Sequence, residues 1–226
     1  MAQRLSAERL VRRSSGEDAA RYIQRLIFDG ELRPGSRVPQ DDVAHALGIS
    51  RIPVREALIA LEREGWVTIE MHRGAFVNPI DADGVRDHYE LLGQIYAFAA
   101  ERALARSGPD LVAALDEIAR RFDLTNDAAE LRELSFRFFA TMVDGAHSPR
   151  TKVVLRAMSA LVPGEFFAEV PDAVDIQHRG IAAVMRALRK GDGPRAAEEL
   201  RKVMCRVGDK VVDAFRARGL FDTSTT

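Results

Sequence analysis

The sequence has little cysteine and almost no net charge, and each shortage excludes a class of protein. Cys205 is the one cysteine among 226 residues, so a disulfide framework within the chain is impossible. Lys and Arg number 33 against 34 Asp and Glu, and this balance provides no polycationic surface. No apolar run approaches the length of a membrane span, and the polar N-terminus lacks the apolar core of a signal peptide. We therefore expect a cytoplasmic protein that engages no membrane.

Enzyme signatures are also missing. The sequence has no hydrolase nucleophile elbow, P-loop, dinucleotide fingerprint or zinc-protease helix, and its 5 histidines form no recognisable catalytic set. Apolar residues make up 46% of the chain, which is enough for a sizeable core. Residues 1–79 carry 12 Arg and 11 Asp or Glu, so any affinity for nucleic acid must come from the local placement of arginines.

Residues 15–79 predict three helices followed by a two-stranded hairpin. The periodicity indicates one helix after Ser15, a short second helix that ends before Gly48, and a third helix capped by Ser50. Two short strands with a turn between them follow, at 66–70 and 75–78. This order is that of a winged helix-turn-helix. The third helix should bury one face, formed by Val54, Ala57, Leu58 and Leu61.

The exposed face of the third helix carries the residues that we expect to contact DNA. Arg51 and Arg55 are four residues apart and share one face, away from the apolar stripe. Arg suits a bidentate contact with guanine or with phosphate, and the helix N-terminus itself favours phosphate. Taken alone, such a pair is as often a solvated helix face, but a wing behind the helix favours DNA. The predicted contact set is Ser50, Arg51, Ile52, Arg55, His72, Arg73 and Gly74.

The remainder of the chain, from residue 82 to 220, shows helical periodicity alone and predicts an all-helical bundle, so the protein should be mainly α. Cys205 falls in the last helix, where we expect a buried thiol. Residues 1–14 are predicted to be a flexible arm and residues 221–226 a flexible tail. Glycines and prolines divide the bundle into helices at about 82–107, 109–122, 126–145, 149–162, 172–190 and 193–218.

The N-terminal part resembles the GntR family of regulators. The resemblance is carried by LRPGSRV at 32–38, SRIPVREAL at 50–58 and RGAFV at 73–77. In that family the two arginines that match Arg51 and Arg55 contact DNA, and Ile52 stands where the family often has Thr. The resemblance implies a sequence-specific transcriptional regulator of double-stranded operator DNA. We expect a homodimer, since one short recognition helix contacts few base pairs.

The helical part resembles the FCD domain of the FadR subfamily, the ligand-sensing half of such regulators, through its helix order and the runs ELSFRFF at 133–139 and ALRKGD at 187–192. Many such domains bind a divalent metal through an Asp or Asn, a His four residues later and two further His. Those places hold Ser135, Phe139, Ile181 and Val203. Because Phe, Ile and Val offer no ligand atom, we predict no metal and no cofactor.

Two hypotheses remain open for this helical domain. Either a cavity binds a small apolar or weakly polar metabolite that changes the spacing of two DNA-binding domains, or side chains fill the interior and the domain is a dimerisation scaffold. A lone His178 is more typical of a surface or hydrogen-bonded histidine, and the phenylalanines at 136–139 are more typical of a core. If the cavity is kept, its expected lining is Leu92, Tyr96, Ser135, Phe139, Met142, His178, Ile181, Met185 and Val203.

Overall fold

The computed structural model describes residues 14–158, 166–170 and 172–221. An N-terminal domain of three helices and a small sheet is followed by an all-helical C-terminal domain, which confirms the mainly α fold predicted from the sequence. The predicted arm at 1–14 and the predicted tail at 221–226 lie outside the described residues, apart from Ser14 and Phe221.

Helix α1 (Ser15–Phe28) begins with a reciprocal cap. The Ser14 hydroxyl accepts a hydrogen bond from the Glu17 amide, and the Glu17 carboxylate accepts one from the Ser14 amide, both at 3.2 Å. The cap therefore lies one residue before the predicted Ser15. Ala19, Ile23 and Ile27 recur on one face of α1 and are fully buried in the core of the N-terminal domain.

Helices α2 (Gln40–Leu47) and α3 (Arg51–Arg63) form the helix-turn-helix. Gly48 ends α2 with a φ of 64°, a left-handed conformation that costs glycine little. Ser50 occupies the position before α3, but its side chain makes no capping hydrogen bond, contrary to the sequence-based expectation. The buried face of α3 is as predicted, with Val54, Ala57, Leu58 and Leu61.

The wing consists of strands β1 (Val67–Glu70) and β2 (Gly74–Val77), paired antiparallel with Glu70 opposite Gly74. A third segment, at residues 35–38, pairs with the outer edge of β2. The Val38 amide donates to the Ala75 carbonyl, and the Gly35 amide donates to the Val77 carbonyl, both at 2.8 Å. The wing sheet has the two predicted strands, and this segment adds an isolated antiparallel bridge between Arg37 and Phe76, where the sequence indicated a turn alone.

The C-terminal domain is a bundle in which α4 (Ala82–Leu124) and α9 (Gly193–Ala217) pack along each other, and α5 (Ala128–Gly145) and α8 (Ala173–Arg189) cover them. The predicted helices 82–107 and 109–122 meet at a kink, because Gly108 has a non-helical φ of 39° and ψ of −121° and precedes Pro109. The sixth helix ends five residues earlier than predicted, since Met158 leaves the helical conformation with a ψ of 82°. The bundle helices are α4 (Ala82–Leu124), α5 (Ala128–Gly145), α6 (Pro149–Ala157), the unpredicted single turn α7 (Phe166–Glu169), α8 (Ala173–Arg189) and α9 (Gly193–Ala217).

The expected burial of Cys205 and the expected lack of a membrane-spanning helix can both be compared with the structure. Cys205 is exposed on α9, not buried as the sequence indicated. Partial burial, together with the carboxylates of Glu90 and Asp209, raises the pKa of its thiol. Within the described ranges, no helix is both long enough and apolar enough to span a membrane.

Candidate functional sites

The outer face of α3 carries three of the predicted contact residues. Arg51, Ile52 and Arg55 are all exposed, and Ile52 shows 69% of its surface, so its methyl groups are free for an apolar contact. The Arg51 guanidinium pairs with the Asp41 carboxylate of α2. Within the part of the chain that the structure describes, Arg55 makes no ion pair. The first turns of α3 therefore present one paired and one unpaired guanidinium.

Ser50, which precedes α3, is exposed, and the wing places the three remaining predicted residues, His72, Arg73 and Gly74, beside this face. His72 adopts a φ of 62° in the loop between the strands and is exposed. Arg73 pairs with Glu70, and its guanidinium lies 5.3 Å from the centroid of the Phe76 ring. Gly74 also makes room for a neighbouring side chain. A Cβ at position 74 would lie 2.7 Å from the Arg37 Nε, so this glycine lets the Arg37 side chain cross the strand.

A groove of about 680 Å³ runs between α3 and the wing. Arg37 lines it together with Arg51 and Arg55, and the carboxylates of the lining are those of Asp41, Asp42 and Glu70. Arg37 was not predicted as a site residue, because its segment was expected to be a turn and not to pair with β2. Three arginines from two segments thus line one concave surface, although the net charge of the chain gives no sign of it.

The C-terminal domain contains an open pocket of about 540 Å³, called the cavity below, bounded by α4, α5, α6 and α7 with contributions from α8 and α9. This volume lies in the range of small-molecule sites. Gln177 and Ser135 are polar residues of its lining, and the Nε2 of the buried Gln177 donates a hydrogen bond of 2.8 Å to the Ser135 Oγ. The apolar lining includes Tyr89, Leu92, Tyr96, Phe139, Leu155, Phe167 and Met204, and the basic side chains of the lining are Arg132, Lys152 and Arg156.

The two tyrosines of the cavity are neutral hydrogen-bonding groups. Burial raises the pKa of Tyr96 to about 12 and also raises the pKa of Tyr89 above its ordinary value. The centroids of the Tyr96 and Phe139 rings are 4.5 Å apart, so an aromatic pair forms part of the wall. Lys152 is paired with Asp144 at 2.5 Å, which lowers the net charge of the basic side.

Of the nine side chains predicted to line this cavity, Leu92, Tyr96, Ser135 and Phe139 do so. The other five lie elsewhere. Val203 packs on Gly180, where an added Cβ would lie 2.3 Å from the Val203 Cγ2, so α8 and α9 leave no space at this level. His178 packs against Phe122 instead, with 4.7 Å between the ring centroids. Three more predicted residues are buried in the packed core, namely Met142, Ile181 and Met185.

The positions that hold a metal in many related domains do not fit a cation here. The Ser135 hydroxyl already accepts a hydrogen bond, the Phe139 ring stacks on Tyr96, and Ile181 is buried among apolar side chains. Among the described residues, no cluster of three or more His, Cys, Asp or Glu side chains could hold a metal ion. The donor set therefore lacks the nitrogen and carboxylate ligands that a divalent cation needs.

Two family models match these two domains. The model of bacterial regulatory proteins of the gntR family matches residues 15–77, and the FCD domain model matches residues 87–205. The chain belongs to the GntR family. Membership confirms that this GntR protein is a transcriptional regulator and not an enzyme, and it implies DNA binding.

Individual relatives agree with this assignment. An HTH-type transcriptional regulator of Mycobacterium tuberculosis is 33% identical over 154 residues, which span 68% of this chain but 63% of that protein. The solved structure of McbR/YncC from E. coli has a TM-score of 0.60 at 16% identity and covers 91% of this chain and 99% of its own. A GntR regulator from Rhodococcus sp. RHA1 has a TM-score of 0.55 at 23% identity, covering 90% and 100%. At such identities the two structures support the fold alone.

Proposed function

We propose that this GntR-family regulator binds operator DNA as a homodimer through α3 and the wing, and that a small molecule in the FCD cavity modulates the binding. The observation that carries the DNA-binding surface is the convergence of Arg37, Arg51 and Arg55 on the groove beside the first turns of α3. In a helix-turn-helix, those turns enter the major groove of DNA.

Each side chain of the surface has a suitable partner on DNA. Arg51 and Arg55 suit guanine edges or phosphates, and the exposed Ile52 suits the methyl group of thymine. Arg37 and Arg73, which flank β2, suit the phosphate backbone, where contacts fix orientation without selecting a sequence. The acidic Asp41 beside Arg51 limits non-specific attraction, because its carboxylate offsets the charge of the Arg51 guanidinium.

A second copy of the chain would cover an apolar stripe on α4. Leu91 and Phe98 lie seven residues apart on one face and are 55% and 44% exposed. The Arg102 guanidinium stands 5.2 Å from the centroid of the Phe98 ring and flanks the stripe with charge. A dimer is the partner we infer for this face, because two α3 helices related by a two-fold axis bind two half-sites.

The cavity favours an effector-responsive regulator over a ligand-blind scaffold, since the scaffold hypothesis expects a filled interior. Its chemistry also changes the expected ligand. Aromatic and aliphatic walls suit an apolar body, while Ser135, Gln177 and the basic side chains suit a polar or anionic end. We therefore propose an effector with an apolar body and one polar or anionic group. This molecule is more polar at one end than the sequence alone suggested.

The test of DNA binding starts from fragments of the source genome selected by the protein. Fluorescence anisotropy then compares the wild-type protein with Arg55→Ala, which should bind the selected operator more weakly by about 1–3 kcal/mol. Arg63→Ala is the matched control, because Arg63 is exposed at the opposite end of α3. Equal affinities for the wild-type protein and Arg55→Ala would contradict the assignment of this surface.

The test of the cavity uses Ala140→Trp, which places an indole where the half-buried Ala140 lines the empty space. A panel of metabolites with apolar bodies and carboxylate or hydroxyl ends is screened by thermal melting. A true effector should raise the melting temperature of the wild-type protein and leave that of Ala140→Trp unchanged. If no compound distinguishes the two proteins, the scaffold hypothesis is favoured.

A further inference from the structure

One contact cluster joins the DNA-binding domain to the FCD domain. We define the joint as Arg25, Phe28, Glu169, Phe215 and Arg218. Although Phe28 is the last residue of α1, it is fully buried in the core of the FCD domain and not in that of its own domain. Its ring meets Phe215 of α9 edge to face, with 5.5 Å between the ring centroids.

Glu169 is the centre of the charged part of the joint. Its Oε2 accepts a hydrogen bond of 2.9 Å from Arg218, and its Oε1 pairs with Arg25 of α1. The Arg218 guanidinium also lies 4.2 Å from the centroid of the Phe28 ring. The Glu169 side chain is 18% exposed, so these ion pairs are shielded from solvent more than a surface pair. One carboxylate therefore connects α1 to the end of α9.

The short helix that carries Glu169 also contributes Phe167 to the wall of the cavity. Glu169 and Phe167 are two residues apart in α7, a single turn of four residues. Phe167 lines the cavity and meets the Phe122 ring, with 6.3 Å between the centroids. Only one residue separates Phe167 from Glu169, so the backbone carries a movement of one to the other over a short distance. A displacement of Phe167 from the cavity side therefore displaces Glu169 at the joint.

We propose that α7 couples the cavity to the DNA-binding domain, so that a molecule pressing on Phe167 withdraws Glu169 from Arg25 and loosens α1. This inference rests on the proposed function, because it needs both a ligand in the cavity and an operator on α3. Thermodynamic linkage makes the effect reciprocal. Whatever factor the ligand applies to operator affinity, the operator applies to ligand affinity, and loosening the joint by mutation should itself favour ligand binding.

The experiment uses 1-anilinonaphthalene-8-sulfonate, which has an apolar ring system and one anionic group, as the probe of the cavity. Its fluorescence gives a Kd with and without saturating operator, and the ratio of the two values is the coupling factor. We expect a factor of at least 3 for the wild-type protein and a factor near 1 for Glu169→Gln, which keeps the shape and removes the charge. Glu169→Gln should also bind the probe at least threefold more tightly in the absence of DNA.

Two further variants make this comparison specific. Arg25→Gln breaks the same ion pair from the α1 side and should also bring the coupling factor near 1. Asp116→Asn breaks an ion pair inside the FCD domain, where Arg189 donates to Asp116 at 2.6 and 2.9 Å, and should keep the wild-type factor. A wild-type factor of 1, or an unchanged factor in both joint variants, would overturn the proposal. Loss of coupling in Asp116→Asn as well would overturn it too.

Failure of the proposed function is visible separately. If probe fluorescence persists in Ala140→Trp, the probe does not occupy the cavity, and if no genomic fragment is retained, the protein has no operator. The first result counts against ligand binding in the cavity and the second against operator binding, and each is distinct from a loss of coupling. Far-ultraviolet circular dichroism of each variant must match the wild-type spectrum, and the two independent joint variants guard against misfolding of one.

Discussion

Replacement of Asp41 by Asn should tighten operator binding. In the structure, the Asp41 carboxylate holds the Arg51 guanidinium, so Arg51 must leave this partner or share it before it can contact DNA. The substitution keeps the size of the side chain and removes its charge. It therefore releases Arg51 and removes a negative charge that would otherwise face phosphates.

The size of the effect follows from the exposure of the pair. The Arg51 and Asp41 side chains are 64% and 63% exposed, and ion pairs so open to water contribute about 0.2–1 kcal/mol. Repulsion between the carboxylate and more distant phosphates is screened over ~8 Å at physiological ionic strength. We therefore expect the Kd for operator to fall by a factor of about 1.4 to 5, with the larger gain at low salt.

Fluorescence anisotropy with the selected operator measures this effect at two salt concentrations, alongside a double-mutant cycle. In the background of Arg51→Ala, the gain from Asp41→Asn should shrink to the screened repulsion alone. Glu117→Gln is the control, since it breaks a similarly exposed ion pair on α4, with Arg120. Weaker binding by Asp41→Asn, or an equal gain in both backgrounds, would refute the role given to the pair.

Three other predictions follow from the same structure. The double variant Leu91→Glu with Phe98→Glu should sediment as a monomer with unchanged helical content, because both side chains are exposed; a persistent dimer would place the interface elsewhere. Treatment with EDTA should change neither operator affinity nor melting temperature, and a stoichiometric metal in elemental analysis would contradict the ligand assignment at Ser135 and Phe139. The rate at which iodoacetamide alkylates Cys205 should rise with pH and reach half its maximum at a higher pH than the rate for free cysteine. The reason is that partial burial and nearby carboxylates raise the thiol pKa. A lower midpoint would argue against this environment.

Helix α3 could be predicted from the sequence because the signals that define it are local. The buried positions Val54, Leu58 and Leu61 repeat with the helical period, and Gly48 ends the preceding helix with a left-handed residue. The pairing of the segment at 35–38 with β2 was not predicted, for the opposite reason. Hydrogen bonds from the segment at 35–38 to β2 are formed between parts of the chain that are far apart in sequence and carry no period.

The cavity was harder to predict than its helices, since its lining depends on how α8 and α9 meet. Gly180 has no side chain, so Val203 packs directly against it and closes the level at which the sequence placed several lining residues. The open space lies nearer α6, where Lys152 and Arg156 supply charge that the sequence analysis did not include. A single turn such as α7 is too short for periodicity, and Glu169 therefore gave no signal as the centre of the joint.

Helix α1 connects the joint at its C-terminal end to the recognition helix at its N-terminal end. The helix has 14 residues and is about 21 Å long at ~1.5 Å per residue. Phe28 fixes one end in the FCD domain, while at the other end a Cβ on Gly16 would lie 3.6 Å from the Pro53 carbonyl of α3. Used as a lever arm, α1 converts a tilt of about 10° at Phe28 into a shift of about 3.6 Å beside the recognition helix, close to the rise of ~3.4 Å of one base pair. A rotation this small at the joint would be enough to put the two half-sites of a dimer one base pair out of step.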